Sequence, residues 1–469
     1  MYRFRENSIA AVFQNQALRL PVGAYAAHVA GDRTVETTWE EMKERVRSLS
    51  YYLLSIGIKR ADRIAIYSDN RIEWRIAALA VASVGAIDVP IAPDARPREI
   101  AYILGHSHCR VCFVDSELRL EKLLPTVSAL PQAVEIIVFD HVPTFREKYR
   151  PFEGVLSEGA GNPVRHHMEG RIQETGPDDV STIVYSRKST GNPDGAMLSH
   201  GSLLSAARSF LLEMEDPYTR GDLITENDLF YSVLSPVNLL ERTIGFYASI
   251  CRGATTFLSS GTHMIGHDFA RARPSLLVCD AETLGLIRNA LLLNIDLLSA
   301  IGRKQFHIAV RRTLRNARRM SRPGMFGRIE NGLLHRAFFA GMKKGAGLDR
   351  CRYLITEVGA PPDRHTEIFE AIGLKILYCY GASSTHTLTH FNRPWNNRPG
   401  TAGQPLFNTE TLVAENGEVL IKSPHVFSGY HLDDKKTRDT FTPDGFYKTS
   451  DFGRIDSEDF LYLSSFVLK

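Results

Sequence analysis

RIAIYSDNRIEWRIAALAVASVGAIDVPI, residues 63–91, decides the fold class. Arg63 to Tyr67 (RIAIY) is a short apolar strand. Asn70 stands where a helix cap belongs, the apolar helix runs to about Gly85, and Ala86 to Ile91 (AIDVPI) is a second strand. Strands joined through a helix in this way are parallel and buried on both faces. The rhythm continues on either side. Thr38 and Glu41 form a capping box, with Met42, Val46, Leu49 and Leu53 at helical spacing up to Gly57. Pro97 opens a helix leading to the strand Arg110 to Val114, and VEIIVF (Val134 to Phe139) adds another. Ile183 to about Phe257 resumes the pattern after a polar loop. From Gly400 short alternating runs such as GEVLIKSP indicate a small β-rich subdomain.

The chain has 469 residues, 43% hydrophobic and 23% charged, which excludes disorder and calls for two or three subdomains. With 56 Lys+Arg against 53 Asp+Glu, nothing global favours nucleic acid. Cys109, Cys112, Cys251, Cys279, Cys351 and Cys379 are too scattered for a disulfide framework and read as free thiols in a reducing compartment. The N-terminus lacks a signal-peptide core, and the longest apolar run, Ile76 to Ile91, is broken by Gly85 and Asp88. A cytoplasmic protein is the simplest expectation.

TIVYSRKSTGNPDGAMLSH, residues 182–200, precedes the helix-like SLLSAARSFLLEM. A buried strand, a Ser/Thr/Gly loop and then a helix would aim backbone N–H groups at phosphates, although ordinary connections share this composition. The segment resembles the adenylation loop of AMP-forming acyl-CoA ligases, whose usual form is YTSGTTGNPKG. The likeness spans essentially the whole chain and is nearest the long-chain fatty acid branch. Residues 57–91, LLERTIGFYASICRGATTFL at Leu239, EIFEAIG at Glu367, YGASS at Tyr380, GTAGQPL at Gly400 and GYHLDDKKTRDTFTPDGFYKTSDFGRID at Gly429 follow the family's order.

The resemblance implies a two-step reaction. ATP and a carboxylic acid, here a fatty acid, give an acyl-adenylate and pyrophosphate; CoA then attacks to give the thioester. It also implies an α/β fold of two doubly wound sheet subdomains with helices on both faces, expected over 1–180 and 181–399, and a β-rich subdomain over 400–469 ending at a hinge. The family's mobile C-terminal domain, with its catalytic lysine, would begin about where this chain stops; a separate chain could supply it.

Matched position by position, the resemblance assigns nucleotide contacts to Ser186, Ser189, Thr190 and Gly191 in the loop, to Gly359 and Ala360 beside adenine, to Tyr380 and Gly381, and to Asp451 at the ribose. Tyr380 reads as a stacking platform ahead of a core tyrosine beside Cys379. Other positions depart from the pattern. Lys188 replaces the loop glycine and Asp194 its lysine, with Arg187 and Lys188 restoring positive charge. Asn238 replaces a histidine, Asp280 to Glu282 the VPR segment, and Phe466 an arginine. Ser384 stands where a glutamate would help hold Mg²⁺, and no Asp or Glu lies between Glu370 and Glu410. The expectation is a long-chain fatty acid–CoA ligase-like, AMP-binding protein whose ATP-dependent chemistry is impaired or lost. The alternatives are a non-catalytic nucleotide- or acyl-binding module, a split ligase completed by a partner, or a remnant without a ligand.

His106, His108, Cys109 and Cys112 do not make a metal site, because a structural zinc needs four convergent ligands and Cys112 sits in an apolar strand. Residues 302–329 contain nine Arg and Lys and no acid. They read as a solvated helical face or as peripheral contact with anionic headgroups through 303–328, ahead of any nucleic acid.

Overall fold

The computed structural model describes residues 6–132, 134–143, 148–162, 165–186, 191–219, 221, 223–259, 261–296, 304, 306, 308, 310–311, 339–358, 367–381 and 388–464. Its strands, in chain order, are β1 (Ala24–Ala30), β2 (Arg33–Thr38), β3 (Arg63–Tyr67), β4 (Ile87–Ile91), β5 (Val111–Val114), β6 (Glu135–Val138), β7 (Arg150–Pro151), β8 (Val180–Ser186), β9 (Asp194–Ser199) and β10 (Leu229–Ser232). There follow β11 (Thr255–Leu258), β12 (Leu276–Cys279), β13 (Tyr353–Glu357), β14 (Lys375–Tyr380), β15 (His390–Phe391), β16 (Gln404–Pro405), β17 (Glu410–Val413), β18 (Glu418–Lys422), β19 (Gly429–Tyr430), β20 (Tyr447–Ile455) and β21 (Leu461–Leu463).

Among the described residues these form three sheets, ordered β19-β9-β8-β4-β3-β5-β6-β7, β16-β15-β14-β13-β12-β10-β11-β1-β2 and β17-β18-β20-β21. The first is parallel from β8 to β7 and the second from β14 to β1, with antiparallel strands at the edges. The third, wholly antiparallel, is the β-rich end anticipated from Gly400 onward. Sheet membership crosses residue 180 in both directions, with β1 and β2 in the second sheet and β8 and β9 in the first, and it crosses residue 399 through β16 in the second sheet and β19 in the first.

The unit over residues 63–91 forms as expected, with β3 and β4 parallel in the register Arg63↔Ile87 around the helix Ile72–Ser83. Its cap differs. Arg71 occupies the N-cap position, and the Asn70 amide instead donates to Ser232 Oγ at 2.7 Å, because the end of β10 offers an acceptor across the inter-sheet seam. Thr38 and Glu41 do form the capping box of the helix Trp39–Ser55.

The two large sheets meet around the π-helical segment Glu241–Ala248, every residue of which is buried. Arg242, fully buried, binds both oxygens of Asp88 on β4, at 2.9 and 2.8 Å. Thr182 Oγ1 on β8 accepts from the same guanidinium at 3.0 Å and donates to Asp88 at 2.8 Å, while Tyr247 Oη accepts at 2.6 Å. The Trp74 ring lies 5.3 Å from the Arg242 guanidinium carbon. A buried ion pair is tolerable only when its hydrogen-bonding capacity is used in this way. Arg242→Met strands the Asp88 carboxylate and is expected to cost about 3–5 kcal/mol, read as a lower urea midpoint. Adding Asp88→Leu should recover much of that loss.

The neighbouring Glu241 is less well served. Its Oε1 accepts from Ser232, Arg75 approaches only to 3.9 Å, and Oε2 is buried without a hydrogen bond. A Cβ on Gly245 would fall 2.1 Å from Glu241 Oε1, so a larger residue there would displace the Glu241 carboxyl. Burial pushes the Glu241 carboxyl from 4.5 up to about 7, against the pull of Ser232 and Arg75. Between those values the folded chain keeps a proton that the unfolded chain releases, so stability falls as pH rises through this window and then levels. Glu241→Gln should match the wild type near pH 4 and exceed its unfolding free energy above pH 7 by up to about 3 kcal/mol, measured by urea titration at both pH values.

Candidate nucleotide-binding site

Two of the residues assigned to nucleotide contact stand at the C-terminal ends of parallel strands, where ligands of open α/β sheets bind. Ser186 ends β8 and Tyr380 ends β14. The loop after Ser186 does not lead into a helix. It closes an antiparallel hairpin with Ser186 opposite Asp194, and β9 runs six residues before the helix His200–Glu213 begins. That helix is capped by Ser199, whose Oγ accepts from Ser202 N at 3.0 Å. Gly191 adopts φ +83°, a conformation that L side chains resist. Lys188, Ser189 and Thr190, like Gly359, Ala360, Ser384 and Phe466, lie outside the described residues.

Asp194 does not confront the loop as a bare carboxylate. Lys436, from the helix Asp434–Thr440, forms an ion pair with it, and the Lys436 Nζ lies 4.4 Å from the Tyr430 ring centroid. The backbone brings the two together. β19 pairs with β9 through Gly429↔Met197 and Tyr430↔Ala196, and His431 N donates to Gly195 O at 2.8 Å. Gly429 sits at φ +145°, where a Cβ would press within 2.6 Å of Thr437 Cγ2. Thr437 Oγ1 accepts from Tyr430 N at 2.8 Å, and Asp433 caps the helix by accepting from Lys436 N at 2.9 Å. Burial, then the Tyr447 and Asp194 side chains, raise the Tyr430 hydroxyl to about 12.

Tyr380 and Asp451, 71 residues apart, meet directly: the tyrosine hydroxyl donates to Asp451 Oδ2 at 2.5 Å. Tyr380 is 6% exposed and packs with Ala402, Val419, Ile421 and Leu461, and its carbonyl accepts from Thr389 N at 2.9 Å. Gly381 follows at the strand end. Elsewhere the altered motifs serve as helix caps. Asn238 Oδ1 accepts from the backbone N–H of Leu240 and Glu241, at 2.9 and 3.1 Å. Asp280 Oδ1 accepts from Thr283 N at 2.8 Å and opens the helix Ala281–Asp296. Glu357, at the end of β13, has its carboxyl raised by burial and then by Asp280.

A cavity of about 530 Å³, lined in part by Asp69, Arg71, Asp115, Arg119 and Lys122, opens at the ends of β3 and β5, and none of the residues assigned to nucleotide contact lines it. Of the basic stretch only residues 304, 306, 308, 310 and 311 are described; Phe306 is buried against Phe339, while Lys304 and Arg311 are exposed. Among the described residues no helix is long and apolar enough to cross a membrane.

A family model described as AMP-binding enzyme matches residues 13–431. The chain belongs to this family. It is 24% identical to the long-chain-fatty-acid–CoA ligase FadD15 of Mycobacterium bovis over 98% of this chain and 74% of that protein. Its fold is similar to that of the anthranilate CoA ligase AuaEII in complex with anthranoyl-AMP (TM-score 0.76, 17% identity, 98% and 77% of the two chains). It is also similar to ATP-bound MatB from Rhodopseudomonas palustris (TM-score 0.70, 19% identity, 97% and 78%).

Motif matching overlooked Lys436. The residue lies inside a quoted motif, but its partner is 242 positions away, and a single sequence carries no signal for that pairing. The Tyr380–Asp451 contact predicts thermodynamic coupling. In a double-mutant cycle of Tyr380→Phe and Asp451→Ala, urea unfolding should return an interaction energy of about 0.5–3 kcal/mol.

Proposed function

We propose that this chain is a long-chain fatty acid–CoA ligase-like protein that binds adenine nucleotide between the β8–β9 hairpin and the end of β14, and whose acyl-adenylate chemistry is impaired. The observation that carries the nucleotide reading is the direct contact of Tyr380 with Asp451. These are the two residues that the resemblance assigns to adenine and ribose, and Tyr380, like Ser186, ends a parallel strand. In this reading the nucleotide's ribose hydroxyls take the place of the Tyr380 hydroxyl as donors to Asp451.

The family reaction would polarise the fatty-acid carboxylate and the α-phosphate together while charge builds on pyrophosphate. The donor set does not fit a resident Mg²⁺ that would neutralise that charge. A hydroxyl holds position 384, no acid lies between Glu370 and Glu410, Asp451 is engaged by Tyr380, and the Glu357 carboxyl is pushed up by burial. No step is therefore routed through the ion. Ser186, Gly191 and Asp451 hold and orient the nucleotide, and fatty acid and CoA enter this reading only as the substrates of related ligases.

Two measurements on the purified chain test it. AMP at one hundred times its Kd should stabilise the wild type by about 2.7 kcal/mol, seen as a rise in Tm that Asp451→Ala abolishes. ATP with palmitate should release pyrophosphate at a rate near background. Absence of AMP stabilisation overturns the binding reading, and robust pyrophosphate release overturns the impairment.

A further inference from the structure

We propose that Lys436 is the phosphate-binding ammonium of this site, delivered from the helix Asp434–Thr440 and held at the loop by Asp194. The inference deepens the nucleotide reading above and rests on it. Three observations support it. Asp194 is the last residue of the loop, directly opposite Ser186 across the hairpin, so its ion pair puts the Lys436 Nζ at the loop's closing rung. The ammonium is oriented twice more, by the Tyr430 ring 4.4 Å away and by a backbone fixed through Asp433, Thr437 and the β19–β9 pairing. Only one of its three N–H donors is used: among the described residues Asp194 is its single hydrogen-bonding partner, leaving two donors for phosphate oxygens.

Asp194 alone would repel a triphosphate, and Lys436 alone, on a four-carbon stem, would sweep a wide volume. Paired, the ammonium offsets the carboxylate's charge, and the lysine's conformational entropy is spent before the nucleotide arrives. Because the ammonium pairs with Asp194 at the foot of the loop and the adenine and ribose are assigned to Tyr380 and Asp451, it meets the β- and γ-phosphates and leaves AMP untouched. ATP-over-AMP preference is its signature.

The test is titration calorimetry of the full chain with ATP and with AMP, for wild type, Lys436→Gln, Lys436→Arg and Asp194→Asn. Lys436→Gln should weaken ATP about tenfold, or about 1.4 kcal/mol, and shift AMP less than twofold. Lys436→Arg should retain most of the preference. Asp194→Asn, which removes the competing charge, should bind ATP at least as tightly as wild type. An unchanged ATP-to-AMP ratio in Lys436→Gln, or equal weakening of both ligands, overturns the inference while the nucleotide reading stands. Failure of the wild type to bind either nucleotide overturns both.

Discussion

A single buried guanidinium sets the frame for everything else in this molecule. Arg242 reaches from the π-helical segment that follows β10 in one sheet to Asp88 on β4 and Thr182 on β8 in the other. Removing two charges from water costs several kcal/mol per ion, and only saturated hydrogen bonding offsets it. Asp88, Thr182 and Tyr247 supply that saturation. A pair so demanding tolerates almost no displacement, and it grips β8 just four residues before the loop at Ser186. The hairpin is thereby fixed against the second sheet, whose β14 ends at Tyr380. The two halves of the proposed site come from different sheets, and the Arg242–Asp88 pair joins those sheets.

Much of the scaffold was legible because its determinants are local. The β3–helix–β4 unit, the Thr38–Glu41 capping box, the helix from Pro97 and the antiparallel texture after Gly400 follow from periodicity, caps and turn residues within a dozen positions of one another. What escaped was non-local. Asn70 looks like a cap but spends its amide on Ser232, 162 residues away. The loop looks like a strand-to-helix phosphate cradle, yet β9 folds back on β8, because AMLS is as good a strand as a helix start and the neighbouring strand was decisive. Asn238 and Asp280, departures when matched against a family, are ordinary helix caps once placed in space.

The site's electrostatics show the same limit more sharply. Taken by position, Asp194 reverses a charge, and at 4 Å a unit-charge pair is worth about 4 kcal/mol at an effective dielectric of 20. Taken in space, Lys436 cancels the reversal. Charge at a site belongs to the set of groups that converge there, and the chain can draw each member from any segment. Position-by-position comparison therefore overstates damage wherever the lost interaction is Coulombic and a long side chain nearby can reach.

Lost interactions are not equally replaceable. Coulomb attraction is weakly directional, and a lysine stem spans enough distance for an ammonium to arrive from β19's side of the hairpin in place of β9. Magnesium makes stricter demands: oxygen ligands at about 2.0–2.1 Å in near-octahedral array, with carboxylate strongly preferred. A serine hydroxyl cannot meet that demand, and a carboxylate from elsewhere would need the right depth as well as the right charge. Asp451 is committed to Tyr380, and Glu357 is disfavoured as an anion by its own burial. The cheap loss has a visible compensation and the costly one has none among the described residues. Holding a nucleotide draws on the first kind of interaction, whereas splitting its triphosphate draws on the second. A chain altered in this pattern is thus expected to keep the grip longer than the reaction.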